Sequence, residues 1–198
     1  MKKVLIAAAI GMLVAGQVAA QESPWLVRAR AVHLSMANHD STGLNLSANN
    51  KTIPELDVSY FFSKNIAAEL VLTVPQQQTV SAGALGGQSV GTFKHLPPTL
   101  TLQYHFTDFN GYKPYLGAGL NYTRISNVSL ASPYSLDNHS FGYALQAGVD
   151  VPLTKQVSLN FDVKKVQIHS DVYGTSGAKA GTLKLDPVLL GVGLGYRF

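Results

Sequence analysis

The chain has no cysteine, few charges and, beyond its first twenty residues, no long apolar run. Each absence closes off a class of protein. Without cysteine there are no disulfides, no thiolate zinc sites, no thiol nucleophile and no CxxC redox chemistry. Charged residues make up 13% of the 198 residues, against about 25% in ordinary globular domains, too few for a normally solvated surface. No basic run of the kind that binds nucleic acid is present. After residue 20 no stretch approaches the ~20 apolar residues of a membrane helix. Yet 46% of the chain is hydrophobic. A chain this apolar with no long apolar run has to spread its apolar residues by alternation.

The opening "MKKVLIAAAIGMLVAGQVAAQESPW" carries two lysines, an apolar stretch from Val4 to Val14, and small residues leading to Ala20. That is the pattern of a secretory signal peptide, with Val18 and Ala20 at the small positions before the cut. The alternative, an N-terminal anchor helix, needs a longer apolar stretch. Residues 1–20 are therefore expected to be removed, leaving residues 21–198 as one domain. Losing Lys2 and Lys3 lowers the formal charge from +4 to +2.

Period-two alternation recurs eight times. Leu56, Val58, Tyr60 and Phe62 oppose Glu55, Asp57 and Ser59. Leu70, Leu72 and Val74 oppose Glu69 and Thr73. Leu100, Leu102, Tyr104 and Phe106 oppose Thr99, Thr101, Gln103 and His105. Leu116, Leu120 and Tyr122 oppose Gly117, Gly119 and Asn121. Tyr143, Leu145, Val149 and Val151 oppose Gln146 and Asp150, and Leu159, Phe161 and Val163 oppose Asn160 and Asp162. "WLVRARAV" near the start and "GVGLGYRF" at the end complete the set. Past Lys164 and Lys165 the phase slips, because Val166 and Ile168 fall out of step with Val163. That reads as a bulge, or as the strand leaving the membrane.

Connections alternate in length as well. Short turns are expected at 63–65, 108–113 and 152–155, and long polar segments near 35–52, 75–94, 126–139 and 170–182. Short turns on one side and long loops on the other mark an outer-membrane barrel. The expected fold is all-β: an eight-stranded antiparallel transmembrane β-barrel with short periplasmic turns and long extracellular loops. A soluble barrel such as a lipocalin would place the apolar residues inside. Aromatics gathered at strand ends near the short turns (Trp25, Tyr60, Phe62, Tyr104, Phe106, Tyr112, Tyr196, Phe198) favour the membrane, as an interfacial girdle. The alternating Val192, Leu194, Tyr196 and Phe198 would close the last strand on the first, and they match the kind of signal that outer-membrane assembly machinery reads.

"HLPPTL" (95–100), "KPYLGAGLNYT" (113–123), "QAGVDV" (146–151), "LDP" (185–187) and the closing "GYRF" together resemble the OmpW family of small outer-membrane proteins. The likeness runs in order along the whole mature chain. It implies an eight-stranded barrel with a narrow, largely apolar lumen, placed in the outer membrane of a Gram-negative bacterium. It also implies passage of small hydrophobic molecules, and carries over no catalytic residue and no cofactor.

With the N-terminus periplasmic, odd strands run outward and even ones return. Arg28, Arg30, Glu69, His105, Asp150, Asp162 and Arg197 then face inward in the periplasmic half. Val32, Leu34, Val71, Pro97, Leu185 and Leu189 face inward nearer the loops. A lumen apolar above and charged below suggests a plugged floor, because buried charges must pair and eight strands leave little bore. Passive passage of small hydrophobic solutes with lateral exit into the bilayer is the leading expectation. The alternative is an interaction barrel whose loops bind host, phage or lipopolysaccharide. A lipid-modifying enzyme would need Ser, His and Asp to converge from "HDS" (39–41) and "HSD" (169–171), where neighbours on a strand instead diverge. The six histidines show no metal-ligand spacing, and "GALGGQ" (83–88) reads as a flexible loop. Expected partners are outer-membrane lipid and lipopolysaccharide, the assembly machinery and small hydrophobic solutes. The oligomeric state is not legible.

Overall fold

The computed structural model describes residues 23–107, 109–131, 134–174 and 177–198. The expected signal segment lies outside the described residues. Eight long strands form the barrel: β1 Trp25–Ser35, β2 Lys51–Phe61, β3 Ile66–Thr73, β4 Thr99–His105, β5 Lys113–Leu130, β6 His139–Pro152, β7 Val157–Val166 and β8 Val188–Arg197. Each pairs antiparallel with its neighbour, and β8 also pairs with β1 over Leu26↔Arg197 to Ser35↔Val188. The sheet is closed. The Phe198 amide donates to the Trp25 carbonyl and the Ser23 amide to the Phe198 carbonyl, so the last residue completes the seam.

Alternation sorts the faces as a membrane requires. Leu102 is 60% exposed on the outer wall and Arg28 is 0% exposed on the inner one. In hydrocarbon the outward residues meet lipid, and every strand amide must find a partner within the sheet. Trp25, Tyr60 and Phe62 stack edge to face, as do Tyr104 with Phe106 and Tyr196 with Phe198, giving the lower girdle. Three tight turns share that end. One of them places Asn110 and Gly111 at φ 41° and 93°, the two positive angles of a type I′ hairpin turn.

Three expectations change here. The long polar segments are mostly strands. Gln76–Ala82 and Gln88–Leu96 form a hairpin that also pairs with Leu46–Ala48 and with the upper part of β5. A second small sheet joins His39–Asp40, Ser135–Leu136, His169–Tyr173 and Lys179–Lys184. "GALGGQ" is a formed hairpin tip, with a 3-10 turn at Gly83–Leu85 followed by Gly86 and Gly87 at positive φ. The phase slip after Lys164 is no bulge, because β6 and β7 stay in continuous register from Ala144↔Val166 to Pro152↔Ser158. Even-numbered positions from Asn160 to Val172 are all buried. The inward face simply turns from polar to apolar at Val166.

Glycine on the inner side of β8 leaves room for the β1 arginines. A Cβ at Gly191 would stand 3.3 Å from Arg30 Cδ, and one at Gly195 would stand 3.3 Å from Arg28 Cγ. Gly193 is tighter, since a Cβ there would meet the Ala29 carbonyl oxygen at 2.0 Å. Gly193→Ala is therefore expected to push the closing seam apart and cost about 1–3 kcal/mol, measured by urea unfolding of the refolded barrel in lipid. Wild-type stability would show that β1 and β8 approach less closely than described.

Candidate functional site

The lower half of the lumen is filled by one ion-pair cluster. Arg28 grips Asp150 with two bonds, Nε to Oδ1 at 3.1 Å and Nη2 to Oδ2 at 2.7 Å. Its Nη1 lies 3.0 Å from Glu69, 3.4 Å from Asp57 and 3.1 Å from the Ser59 hydroxyl. Arg30 contacts Asp57 at 2.6 Å, Glu55 at 3.1 Å, Asp162 at 3.3 Å and Glu69 at 3.4 Å. Lys164 reaches Glu55 at 3.4 Å. Three cations thus face five carboxylates, and neutral donors supply the rest. Gln146 donates to Glu69 and Asp162, the Tyr115 hydroxyl to Asp162, and Asn160 to Asp150. All of these charged side chains are buried. Strands β1 to β7 each contribute to this network or to its Thr101 and Gln103 contacts with Gln146, while β8 supplies the glycine floor space.

Below the cluster the barrel opens into a periplasmic mouth of about 1020 Å³, lined by Phe61, His105, Asp150, Arg197 and residues of the short turns. His105 stacks on Tyr115 at 4.9 Å. The Arg197 guanidinium sits 4.1 Å over the Phe61 ring and donates to the Ser23 carbonyl.

Above the cluster the chemistry reverses. Leu34, Ile53, Val71, Pro97, Val166, Ile168, Pro187 and Leu189 line a chamber of about 20 Å³, with the Glu55–Lys164 pair in its floor and Thr73, His95 and Thr99 in its wall. Val32, Leu185 and the inward faces of the extracellular strands (Val80, Phe93, Ile125, Val172, Leu183) belong to the same buried apolar cluster and roof it. The exposed Tyr122, Phe141 and Tyr143 form an upper girdle on the outer wall, and His95 pairs with Ile125, three residues beyond Tyr122, so it stands outside the membrane span. Burial first, and then the Lys51 ammonium, push His95 down to about 4. Its ring is neutral.

The wall beside the chamber is interrupted. The β3–β4 ladder ends at Val71↔Thr99 and resumes as Gln76↔His95 in the hairpin above. Between them Leu72 to Pro75 stand against Leu96 to Pro98, and three prolines there lack an amide to donate. The Pro98 carbonyl accepts from the Tyr122 amide and the Asn121 side chain, which puts the break at the level of the upper girdle.

Each residue expected in the lumen occupies an inward or lumen-lining position. Leu34, Val71, Pro97 and Leu189 line the chamber, and Val32 and Leu185 pack around it. Arg28, Arg30, Glu69, Asp150 and Asp162 meet in the floor, with His105 just beneath. Arg197 differs from the expected floor group, because it stands at the mouth against Phe61. Sequence reasoning left Glu55, Asp57, Lys164, Tyr115 and Gln146 out of the floor. Four of them already stood on the polar face, or one residue past its end, but only the curvature of the sheet brings them to the arginines. The Asp40 carboxylate accepts from Thr42 and Leu46, and Asp171 pairs with Lys179 and Thr182, so the acids of "HDS" and "HSD" are spent on loop geometry.

A closed eight-stranded sheet with a lipid-facing apolar wall, two aromatic girdles and a polar-filled lumen defines an outer-membrane β-barrel. The OmpW family model matches residues 15–198, and the chain belongs to that family. It is 45% identical over 193 residues to the uncharacterized outer-membrane protein y4mB of Sinorhizobium fredii, covering 91% of this chain and 82% of that one. It is 27% identical over 191 residues to the dibenzothiophene metabolism operon protein PahQ of Pseudomonas aeruginosa, covering 90% of each. The crystal structure of the outer membrane protein OprG from Pseudomonas aeruginosa superposes with a TM-score of 0.77 at 24% identity, over 92% of this chain and 99% of that one. That last likeness speaks for the fold. The protein is accordingly placed in the outer membrane of a Gram-negative bacterium.

Arg28→Ala strands Asp57, Glu69 and Asp150 with too few cations. It is expected to lower the stability of the refolded barrel by about 3–5 kcal/mol in urea unfolding, and to raise ionic conductance across a planar bilayer. Arg197→Ala, outside the cluster, should cost less, and the lipid-facing Leu102→Ala should leave conductance alone. An Arg28→Ala variant that melts and conducts like wild type would mean that the ion pairs do not close the bore.

Proposed function

We propose that the barrel gives small hydrophobic molecules passive passage from outside the cell into the outer membrane. The observation that carries this reading is an apolar chamber standing on a closed ionic floor, directly beside a proline-interrupted wall. A solute descends between the apolar inner faces of the extracellular sheets, reaches the chamber, and meets buried charge below it. Going further down would break ion pairs in low dielectric, at several kcal/mol. Going sideways requires only that a stretch without ladder bonds widen at the level of the outer leaflet. Lateral exit is the cheaper path. The chamber is too small for such a solute as it stands, so the roof strands and the wall part during passage.

The name of the PahQ relative ties that protein to the metabolism of an apolar aromatic compound, which supports the same direction for this chain. The expected long loops supplied the motive for an interaction barrel, but they are largely strands whose buried sides are mostly apolar. That favours a roof over free binding arms. Contact with lipopolysaccharide belongs to the same reading, and the height of these sheets above the upper girdle supports it. The outward row Val192, Leu194, Tyr196 and Phe198 serves as the assembly signal in this reading, and Phe198→Ser is expected to reduce the share of protein inserted in the outer membrane on fractionation.

Cells making the protein should take up a hydrophobic fluorescent probe faster than cells without it. Val71→Trp, which fills the chamber, should remove the gain. Arg28→Ala should raise ion conductance without raising probe uptake. Uptake that ignores the protein would refute the conduit, and uptake that climbs with Arg28→Ala conductance would refute the lateral path.

A further inference from the structure

Two buried side-chain atoms in the apolar upper half have no hydrogen-bond partner among the described residues, His95 Nδ1 and Gln78 Oε1. Both residues are 0% exposed. The other two atoms of this kind, Arg30 Nε and Asp57 Oδ2, lie within the floor's ion pairs. An orphaned polar atom in an apolar wall is costly and uncommon, so one beside a solute chamber calls for a reason.

The orientation of the His95 ring follows from its one partner. Gln78 Nε2 stands 3.2 Å from His95 Nε2. With the Gln78 amide nitrogen turned toward the ring, the NH₂ donates, His95 Nε2 accepts and the ring hydrogen sits on Nδ1. In that arrangement the orphan is a donor, and the reverse amide orientation, which would make it an acceptor, is told apart by the ring ¹⁵N shifts. Phe93 packs against the same ring at 6.1 Å, edge to face, which helps hold the ring in place. His95 lines the chamber and is the first residue of its strand paired with Gln76 above the proline break. The residue that carries the orphan lines the chamber and borders the wall break.

We infer that His95 Nδ1–H is a recognition donor for an uncharged acceptor oxygen, such as a ketone, ester or hydroxyl, on an otherwise apolar solute. The inference rests on the conduit reading and adds the chemistry of the cargo. A pure hydrocarbon would lay CH₂ groups against the donor and leave it unpaired. A carboxylate would face Glu55 in the chamber floor, whose nearby cation Lys164 is already engaged. The chamber volume of about 20 Å³ matches an oxygen-sized group beside the ring, while the aliphatic remainder presses on Leu34, Ile53, Val71 and Leu189. The preferred cargo is therefore a polar-tipped apolar molecule, held by its tip at the side door.

The test compares 2-octanone with octane on the full barrel refolded in lipid nanodiscs, with both concentrations expressed per lipid to remove partitioning. Wild type should bind the ketone about five- to tenfold more tightly than the alkane, the factor one net hydrogen bond provides. The ring ¹⁵N signal of His95 Nδ1 should shift with the ketone and stay put with the alkane. His95→Phe should lose the preference for the ketone over the alkane, with folding checked by circular dichroism. The wild-type ring signal needs no variant, so a misfolded His95→Phe leaves the test intact. Equal binding of the two probes, an unmoved ring signal, or a preference that survives in folded His95→Phe would each overturn the inference while leaving the conduit standing. Failure of wild type to bind either probe would overturn both.

Discussion

Hydrocarbon offers no hydrogen-bond partner, and that one constraint shapes nearly every feature of this barrel. A strand amide left unpaired in the bilayer costs several kcal/mol, so the sheet must close and β8 must return to β1. Closure of eight strands leaves an interior only as wide as its side chains. Whatever points inward must then be satisfied by other inward residues. Arg28 and Arg30 sit side by side on β1, and their positive charge draws carboxylates from β2, β3, β6 and β7 into one cluster. The glycines of β8 follow from the same crowding, since the arginine stems lie where side chains would have been.

The same strands carry two chemistries at different heights. Below, the inner face is ionic and fully packed, which suits a floor. Above Val166 the inner face is mostly aliphatic, and its alternation stays in phase through Ile168 to Val172 in the extracellular sheet. The boundary falls at the Glu55–Lys164 pair. Near that boundary the wall itself weakens, because Pro75, Pro97 and Pro98 remove donors where β3 and β4 would otherwise pair. A barrel forbidden to have free edges has a short stretch of broken ladder here, and the prolines stand in it, with the amide of Tyr122 and the side chain of Asn121 holding the Pro98 carbonyl.

How much of this was legible depended on the physics behind each residue. The membrane strands were plain because lipid on one side and a filled lumen on the other enforce strict period two, as in Leu100, Leu102 and Tyr104 against Thr101, Gln103 and His105. The extracellular strands were missed because both of their faces escape that rule. In "QQQTVSA" the outward Gln77, Thr79 and Ser81 meet water, and the inward Gln76 and Gln78 are polar too, so the segment reads as a loop. The apparent slip at Val166 came from assuming that the apolar face must be the outer one. Once the lumen turns aliphatic, an apolar residue on the inner face is in phase.

The sequence by itself determined the strand faces, the closure at Phe198, the division of the lumen into charged and apolar halves, and the family, because each of these is written in local alternation and spacing. Only the tertiary structure decided which charges meet, that Arg197 stands apart over Phe61, and that His95 and the three prolines share one side of one chamber. Those are relations between strands distant in the chain. Shear and twist of the closed sheet set them, and no pattern along a single strand contains that information.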